Sequence, residues 1–420
     1  MRCGVDSRAT AVLCDGHVIV GAHTRSWQRT AVASPDLASL ETMAVWADSV
    51  GVSQVWIMGP TGPTANPAWW RVTRPRVAHA TGPDGTATAA LVQRQYHGTS
   101  GNIYVHDLTY NDAGTRRDTR WPWAGEMAAP TVLASALAAA SALDWPLSYS
   151  PGHSGLALLQ RLSAGHTDWL TYPAGDLAHG LPVTHPANHW YSRDAAVRPR
   201  AWLHAYDVRA AYLAAAARVN LGCGELVAAE DWRAAGQHGV YHVDAEPGAV
   251  LLDGGWYDRA ALVAARCQGQ PFTVDAGWRF AAYHRPLEAW ARRIWAAREA
   301  TDGLAREAIK AVYVAAIGSF GRAGTAHSRP LWHAAIVAEA ARHAWANLAG
   351  VAAYGETPIG LRVDAVYALS DAPAPAAAQP ARLGGLRHTG SYRVTPDLGR
   401  VLTNGNLRDL VRWIGRQEGA

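Results

Sequence analysis

Lysine is almost absent from this sequence of 420 residues. Lys310 is the only lysine among 38 basic residues, and the other 37 are arginines. Cysteine is also rare, and its four residues lie far apart without a C-x-x-C pair, which argues against a disulfide framework and against a zinc knuckle. A single lysine in such a background either survives by chance or serves where a compact point charge is needed.

Long hydrophobic runs and a strong excess of charge are missing as well. No run of 18 apolar residues occurs, and residues 1–6 become polar too early for a secretory segment. The hydrophobic content of 49% and the charged content of 17% exclude a disordered chain, while a net charge of +4 is too small to indicate a nucleic-acid partner by itself. We therefore expect a soluble, cytoplasmic protein without a membrane partner.

The apolar pattern predicts an α/β (α+β) organisation. Asp15-Gly16 is a turn typical of a β-hairpin, and a helix at 34–44, a strand at 52–58 and a helix at 129–143 follow it. Residues 146–200 are rich in Pro, Gly and His and are predicted to be a connector. After them we expect a strand at 202–206, helices at 286–300, 304–317 and 331–348, and a strand at 359–369. Two short strands at 383–386 and 392–394 and one terminal helix at 406–416 complete the prediction.

Three segments carry residues suited to chemistry. Asp207 ends the predicted strand at 202–206, with Tyr212 five residues later at a helix start. Arg306 and Lys310 are like charges four residues apart on one helix face, which is unfavourable unless that face meets a polyanion. Asp364 interrupts an apolar strand and needs a metal or a donor, because a buried unpaired carboxylate is costly.

These segments resemble the motifs of family B DNA polymerases, especially the compact protein-primed type. The first palm motif, D-x-x-S-L-Y-P, corresponds to residues 207–213. The fingers motif, K-x-x-x-N-x-x-x-G, corresponds to Lys310 and Gly318. The last palm motif, D-T-D-S-V, corresponds to residues 362–366, so that Asp364 matches its second aspartate. All three occur in the family's order, over about half of the chain.

The resemblance implies a function and a set of site residues. Asp207 and Asp364 would be catalytic and would hold two Mg²⁺ ions, with Mn²⁺ as a substitute, for nucleotidyl transfer. The nucleotide-binding residues would be Lys310, Arg306, Tyr212, Val208 and Gly318. DNA and dNTPs would be the partners, together with a terminal or accessory protein. The protein would be a nucleoid-associated minimal polymerase of a linear or mobile replicon or a telomere end.

The resemblance also implies a domain plan. Residues 1–145 would form an RNase H-like, exonuclease-like domain, inactive because Asp6-Ser7-Arg8 lacks the second acid of D-x-E. Residues 146–200 would be the connector, and residues 201–420 the palm (201–250 and 325–420) with inserted helical fingers (about 256–322). We expect little or no thumb. DNA would then be gripped through phosphate contacts by Arg382, Arg387, Arg393 and Arg400.

Several departures keep an alternative open. Val314 and Ile317 replace the fingers asparagine and a tyrosine, and Arg362 replaces the first acid of D-T-D. Each segment also has a simpler explanation. Asp207 is also explained as a helix N-cap. Arg306 and Lys310 are also explained as a solvated helix face, and Asp364 as the ion-pair partner of an arginine. The alternative function is a catalytically degenerate DNA-binding or telomere-associated protein on a polymerase-like scaffold.

Overall fold

The fold is described from a computed structural model of the chain. Up to residue 107 the structure describes only the strands named below. Beyond that point it describes residues 121–122, 129–145, 147, 151–165, 170, 172, 176–192, 200–229, 231–234, 237–246 and 249–418. The chain folds into two compact units, the first formed by Met1–Leu162 with Arg292–Ser319 and the second by Ser163–Ala291 with Phe320–Ala420.

The first unit contains a seven-stranded sheet with the order β3-β2-β1-β4-β7-β6-β5. Its strands are β1 (Ala9–Cys14), β2 (His17–Ala22), β3 (Ser26–Arg29), β4 (Val52–Met58), β5 (Arg76–Thr81), β6 (Ala87–Gly98) and β7 (Gly101–Asp107). β1 and β2 form the predicted hairpin, and β4 has the predicted bounds and runs parallel to both β1 and β7. The predicted helix at 34–44 and the Asp6-Ser7-Arg8 segment lie outside the described residues.

Two helices follow this sheet in the chain, α1 (Ala129–Leu143), as predicted, and α2 (Pro151–Leu162). The next three are α3 (Asp176–Gly180), α4 (Ala211–Arg218) and α5 (Arg259–Cys267). The helices α6 (Glu288–Glu299) and α7 (Gly303–Phe320) come after them. Gly155 allows α2 to approach α7 closely, because a Cβ there would lie 2.7 Å from the Val312 carbonyl oxygen.

The second unit is built on two five-stranded sheets. One has the order β17-β10-β16-β15-β9 and the other the order β11-β14-β12-β13-β8. Their strands are β8 (Val183–Thr184), β9 (His189–Tyr191), β10 (Trp202–Val208), β11 (Leu221–Ala228), β12 (Gly239–Ala245), β13 (Gly255–Asp258), β14 (Phe272–His284), β15 (Thr357–Arg362), β16 (Ala365–Ser370) and β17 (Leu386–Arg393). The chain therefore has a mixed α/β fold, as predicted.

A long helix, α8 (Pro330–Ala352), organises the core of this unit. It buries Trp332 and Trp345, and each indole nitrogen donates a hydrogen bond to a backbone carbonyl, that of Gly222 at 2.7 Å and that of Ala187 at 2.9 Å. Trp345 also belongs to the apolar cluster that contains Val366 of β16. The Trp332 bond ties α8 to β11 of the second sheet, while the apolar cluster packs α8 against the sheet that carries β10 and β16. In the described part of the chain, no helix is both long and apolar enough to cross a membrane.

Three local predictions for the second unit were wrong. The single strand expected at 359–369 is a hairpin of β15 and β16, with Val363 and Asp364 as its two turn residues. The strands expected at 383–386 and 392–394 are one strand, β17. The C-terminal region forms two helices, α9 (Pro396–Asn404) and α10 (Leu407–Glu418), and the first of them begins with a Thr395 cap followed by proline.

Candidate active site

Backbone pairing brings the two predicted catalytic aspartates to neighbouring positions at one end of β10. In the antiparallel register of β10 and β16, Asp207 pairs with Ala365, the residue directly after Asp364. The Val208 amide then donates a hydrogen bond of 3.0 Å to the carbonyl oxygen of Asp364. Two acids from distant parts of the sequence therefore meet where β10 ends and the β15–β16 turn begins.

Two residues in the left-handed backbone region shape this end of the sheet. Val363 has a φ of 58° and makes the two-residue turn, and its amide donates to the Asn188 carbonyl oxygen at 2.7 Å. Ala210, with a φ of 51°, precedes α4. Neither conformation is favoured by a residue with a Cβ, so hydrogen bonding must hold the chain there. Ala210 is also the N-cap of α4, which rules out the N-cap explanation of Asp207.

Arg387 forms an ion pair with Asp207. The two residues face each other in the register of β10 and β17, and the guanidinium Nη2 donates to Asp207 Oδ2 at 2.8 Å. The Asp207 side chain is 30% exposed and that of Arg387 is 46% exposed, so water reaches both partners. Arg362, the residue in place of the family's first acid, is exposed at the end of β15. Two arginines thus accompany the two aspartates.

Tyr212 lies in the first turn of α4 and comes under the influence of Asp364. Burial raises the pKa of the Tyr212 phenol, and the Asp364 carboxylate raises it further. The phenol therefore keeps its proton at neutral pH, and it can donate a hydrogen bond. The Val208 side chain is buried in the apolar core, so its contribution to this end of the sheet is the amide that holds Asp364.

The donor chemistry of Asp207 and Asp364 suits Mg²⁺. This ion takes oxygen ligands and is commonly bound by one or two carboxylates, while substrate phosphates complete its coordination. In the part of the chain that the structure describes, no group of three His, Cys, Asp or Glu side chains is arranged to hold a metal. An ion held by Asp207 and Asp364 would need further ligands, such as phosphate oxygens, and Arg387 would have to release Asp207.

The predicted fingers residues Arg306, Lys310 and Gly318 all lie on α7. Lys310 is half exposed, with its Nζ 3.6 Å from a carboxylate oxygen of Glu307, and Arg306 donates to Glu299 at 2.8 Å. The cations of this face therefore have carboxylate neighbours on the helix pair itself. Gly318 adjoins open space, since a Cβ there would meet no described atom within 4 Å.

The predicted DNA-binding arginines occupy different environments. Arg382 donates to the side-chain oxygen of Gln379 at 2.6 Å, and Arg400 donates to Asp397 at 3.0 Å. Arg393 is exposed at the end of β17. Arg387 alone of the four reaches the aspartate pair. Sequence analysis missed that contact, because it depends on the register of two strands that are far apart in the chain.

Comparison with known proteins supports the polymerase fold. No protein-family model matches the sequence, and no curated protein matches it. The structure is similar to that of phi29 DNA polymerase complexed with primer-template DNA in a post-translocation binary complex, with a TM-score of 0.50 and 12% identity over 84% of this chain and 78% of that chain.

A second solved structure agrees. Phi29 DNA polymerase in a ternary complex with primer-template DNA and incoming nucleotides gives a TM-score of 0.50 and 12% identity, over 84% of this chain and 79% of that chain. At this level of identity the similarity concerns the fold alone. It confirms the polymerase fold that the three sequence motifs predicted: this chain is similar in fold to a protein-primed family B DNA polymerase.

Proposed function

We propose that the chain is a minimal family B-like DNA polymerase that performs two-metal nucleotidyl transfer on DNA. The observation that carries the proposal is the meeting of Asp207 and Asp364 at one end of β10, held by the hydrogen bond from the Val208 amide to Asp364. Two carboxylates at one strand end of a polymerase-like fold are the donor set that such chemistry requires.

Each residue then has a defined task. Asp207 and Asp364 would hold Mg²⁺, or Mn²⁺ in its place. When bound, such ions lower the pKa of the attacking 3′-hydroxyl and neutralise the leaving pyrophosphate. Tyr212 supports the sugar of the incoming nucleotide with a neutral phenol. Lys310 binds the triphosphate and Gly318 adjoins it, roles that rest on their match to the fingers motif. Arg306 assists Lys310 from one helical turn earlier.

The proposed partners are DNA and dNTPs, with a terminal or accessory protein. The compared phi29 structures contain primer-template DNA and, in the ternary complex, nucleotides, which supports the first two partners. The proposed setting is a linear or mobile replicon or a telomere end, in the nucleoid of the cytoplasm. The domain plan with an inactive RNase H-like region, a connector, palm and fingers remains a prediction, and the mixed parallel and antiparallel sheet of β1–β7 is compatible with it.

Primer extension tests this proposal. Purified full-length protein, a labelled primer-template and dNTPs are incubated with Mg²⁺ or Mn²⁺, and the wild type is compared with Asp207→Asn. Asp371→Asn is the matched control, because Asp371 is also paired with an arginine, Arg200, at 2.6 Å. We expect incorporation by the wild type and by Asp371→Asn but not by Asp207→Asn. Equal incorporation by all three proteins would contradict the proposal.

The arginines favour a second candidate, a DNA-binding protein that has lost catalysis. Arg387 occupies Asp207 and Arg362 stands where the family has an acid, and both reduce the negative charge available to a metal. This candidate predicts DNA binding without incorporation under either metal ion. Binding and extension measured on the same preparation separate the two functions.

A further inference from the structure

A cavity of about 360 Å³ in the second unit is lined largely by arginine. Its walls come from the loop between β11 and β12 and from α5, and they consist of Trp232, Arg233, Arg259, Val263, Arg266 and Cys267. The four α5 residues lie on one face of the helix, because they are spaced by four, seven and eight positions. The folded chain thus gathers three guanidinium groups around one concave surface.

Neutral groups hold these guanidiniums in place. Trp232 is buried, and its ring centroid lies 5.3 Å from that of Phe272, 4.9 Å from the guanidinium carbon of Arg233 and 5.9 Å from that of Arg266. Arg259 donates from Nε to the Trp232 carbonyl oxygen at 2.9 Å. An aromatic face and a carbonyl oxygen orient a cation without cancelling its charge.

In the part of the chain that the structure describes, no acid balances the charge of the cavity within ion-pair distance. Among the described residues, no carboxylate lies within 4.0 Å of the guanidiniums of Arg233, Arg259 or Arg266, whereas Arg342 and Arg387 each have such a partner. The nearby Asp231 accepts a hydrogen bond from the backbone amide of Arg233. Three oriented cations without such a partner are an arrangement suited to an anion from outside the chain.

We propose that this cavity binds the phosphate groups of a nucleic-acid strand, one nucleotide unit filling the cavity. Guanidinium forks match the geometry of phosphate, and the volume lies at the small end of the range for ligand sites. Arg233 and Arg266 are exposed, so a polymer can enter and leave the cavity. The site needs neither a metal ion nor the aspartate pair, so it goes beyond the proposed nucleotidyl transfer.

A salt titration tests the contribution of the two exposed arginines. Binding of a single-stranded oligonucleotide is measured by fluorescence anisotropy in EDTA for the wild type and for Arg233→Gln/Arg266→Gln. The control Arg412→Gln/Arg416→Gln removes the same charge from α10, where both arginines are exposed. Each lost phosphate contact lowers the slope of log K against log salt by about 0.7 for a single strand. We expect a loss of about 1.4 in the slope with the cavity variant, and little change with the control.

Cys267 supplies a second measurement on the unaltered protein. It is a free and exposed cysteine in the cavity wall, so a bound strand should shield it from iodoacetamide. The rate of alkylation at Cys267 is followed by peptide mass spectrometry with the oligonucleotide, with dAMP and with inorganic phosphate. At ten times the dissociation constant, shielding should slow the rate by about tenfold.

The outcomes decide between the sources of phosphate. Protection by the oligonucleotide at concentrations where dAMP and phosphate have no effect supports the proposal. Equal protection by all three would show that the cavity binds small phosphate compounds, and it would overturn the proposal that it binds a nucleic-acid strand. Protection by none, or a slope unchanged in the cavity variant, would overturn the site. Because both assays omit divalent metal, a failure of polymerase activity leaves their results intact.

Discussion

Two consecutive residues of β10, Tyr206 and Asp207, have partners in opposite environments. Tyr206 has a buried partner that is fixed in place, whereas Asp207 has an exposed partner that can be exchanged. Tyr206 is 1% exposed and donates to both carboxylate oxygens of Glu356, at 2.6 and 2.8 Å, while Glu356 is 3% exposed and also accepts from the Ala376 amide at 2.8 Å. Asp207, the next residue, has the half-exposed Arg387 as its partner.

The difference lies in what each carboxylate can give up. Glu356 is enclosed by fixed donors, and losing one would leave a buried charge unsatisfied. Asp207 is open to water and its ion pair is of the exposed kind, which contributes little to stability. A carboxylate that exchanges partners at low cost is suited to a ligand that comes and goes. We therefore expect Glu356 to stabilise the fold and Asp207 to be available for its proposed role, and the following variants test that expectation.

The largest expected effect is the loss of nucleotide incorporation in a variant of Asp364. Asp364→Asn removes a charge from the proposed metal pair, and the lost stabilisation of the transition state, several kcal/mol, corresponds to a fall of roughly 10³-fold in incorporation rate. The free energy of unfolding should change by less than about 0.5 kcal/mol, as for a substitution outside the core. Single-nucleotide incorporation and urea unfolding measure the two quantities. A variant as active as the wild type would remove Asp364 from the site.

Removing the hydrogen bond between Tyr206 and Glu356 should lower stability rather than incorporation. Tyr206→Phe deletes the hydroxyl that satisfies Glu356, and a buried polar group left without its partner costs about 1–3 kcal/mol. Tyr354→Phe, at a tyrosine that is 53% exposed, is the control and should be neutral. Urea unfolding of both variants gives the comparison. Loss of incorporation without loss of stability in Tyr206→Phe would contradict the structural role expected for Tyr206 and Glu356.

Local sequence pattern predicted several elements well because they are long or have marked ends. The helix at 129–143 and the strand at 52–58 have the predicted bounds. The β15–β16 turn was missed because Val363 adopts a positive φ without the Gly or Asn that usually announces such a turn. α9 could have been found, since Thr395-Pro396 is a typical helix start.

The site was predicted only in part, for a similar reason. Motif spacing proposed Asp207 and Asp364 as site residues, but their adjacency depends on strand register, which local patterns do not contain. The same holds for Arg387, which reaches Asp207 through the pairing of β17 with β10. The helical spacing on α5 of Arg259, Val263, Arg266 and Cys267 can be read from the sequence. The cavity itself cannot, because Trp232 comes from another segment.

Two partly buried histidines of α8 predict how stability depends on pH. Burial lowers the pKa of His333 and of His343 to about 4, with His185 adding to the shift at His333 and Arg218 to that at His343. Unfolded, both would titrate near 6.5, so between pH 6.5 and 4 the unfolded chain binds more protons than the folded one. Stability present above pH 6.5 is thus lost on acidification, with a slope approaching about 1.4 kcal/mol per pH unit for each histidine.

Urea unfolding at pH 7.5, 6 and 5 measures this dependence. We expect the midpoint to fall steadily over this series in the wild type. The double variant His333→Gln/His343→Gln should show a flatter profile, because neither site can then take up a proton. A wild-type midpoint that stays constant from pH 7.5 to 5 would contradict the shifts assigned to these two histidines.

A smaller effect is expected from the only lysine. If Lys310 binds the triphosphate, Lys310→Ala should weaken dNTP affinity by about tenfold, or 1.4 kcal/mol, and change DNA affinity by less than about twofold. Lys310→Arg keeps the charge and should recover part of the loss. Nucleotide titrations of single-turnover incorporation and DNA anisotropy give the two affinities. Equal losses of both would indicate a general basic surface.

The smallest effect sharpens the comparison at Asp207 itself. Arg387 competes with a divalent ion for the same carboxylate oxygens, so Arg387→Gln should lower the Mg²⁺ concentration needed for half-maximal incorporation. Exposed ion pairs are worth about 0.2–1 kcal/mol, which corresponds to a shift of at most about fivefold. Arg200→Gln, which frees the exposed Asp371, should leave the Mg²⁺ dependence unchanged. If Arg387→Gln instead raises the Mg²⁺ requirement, the guanidinium assists substrate binding and does not compete with the metal ion.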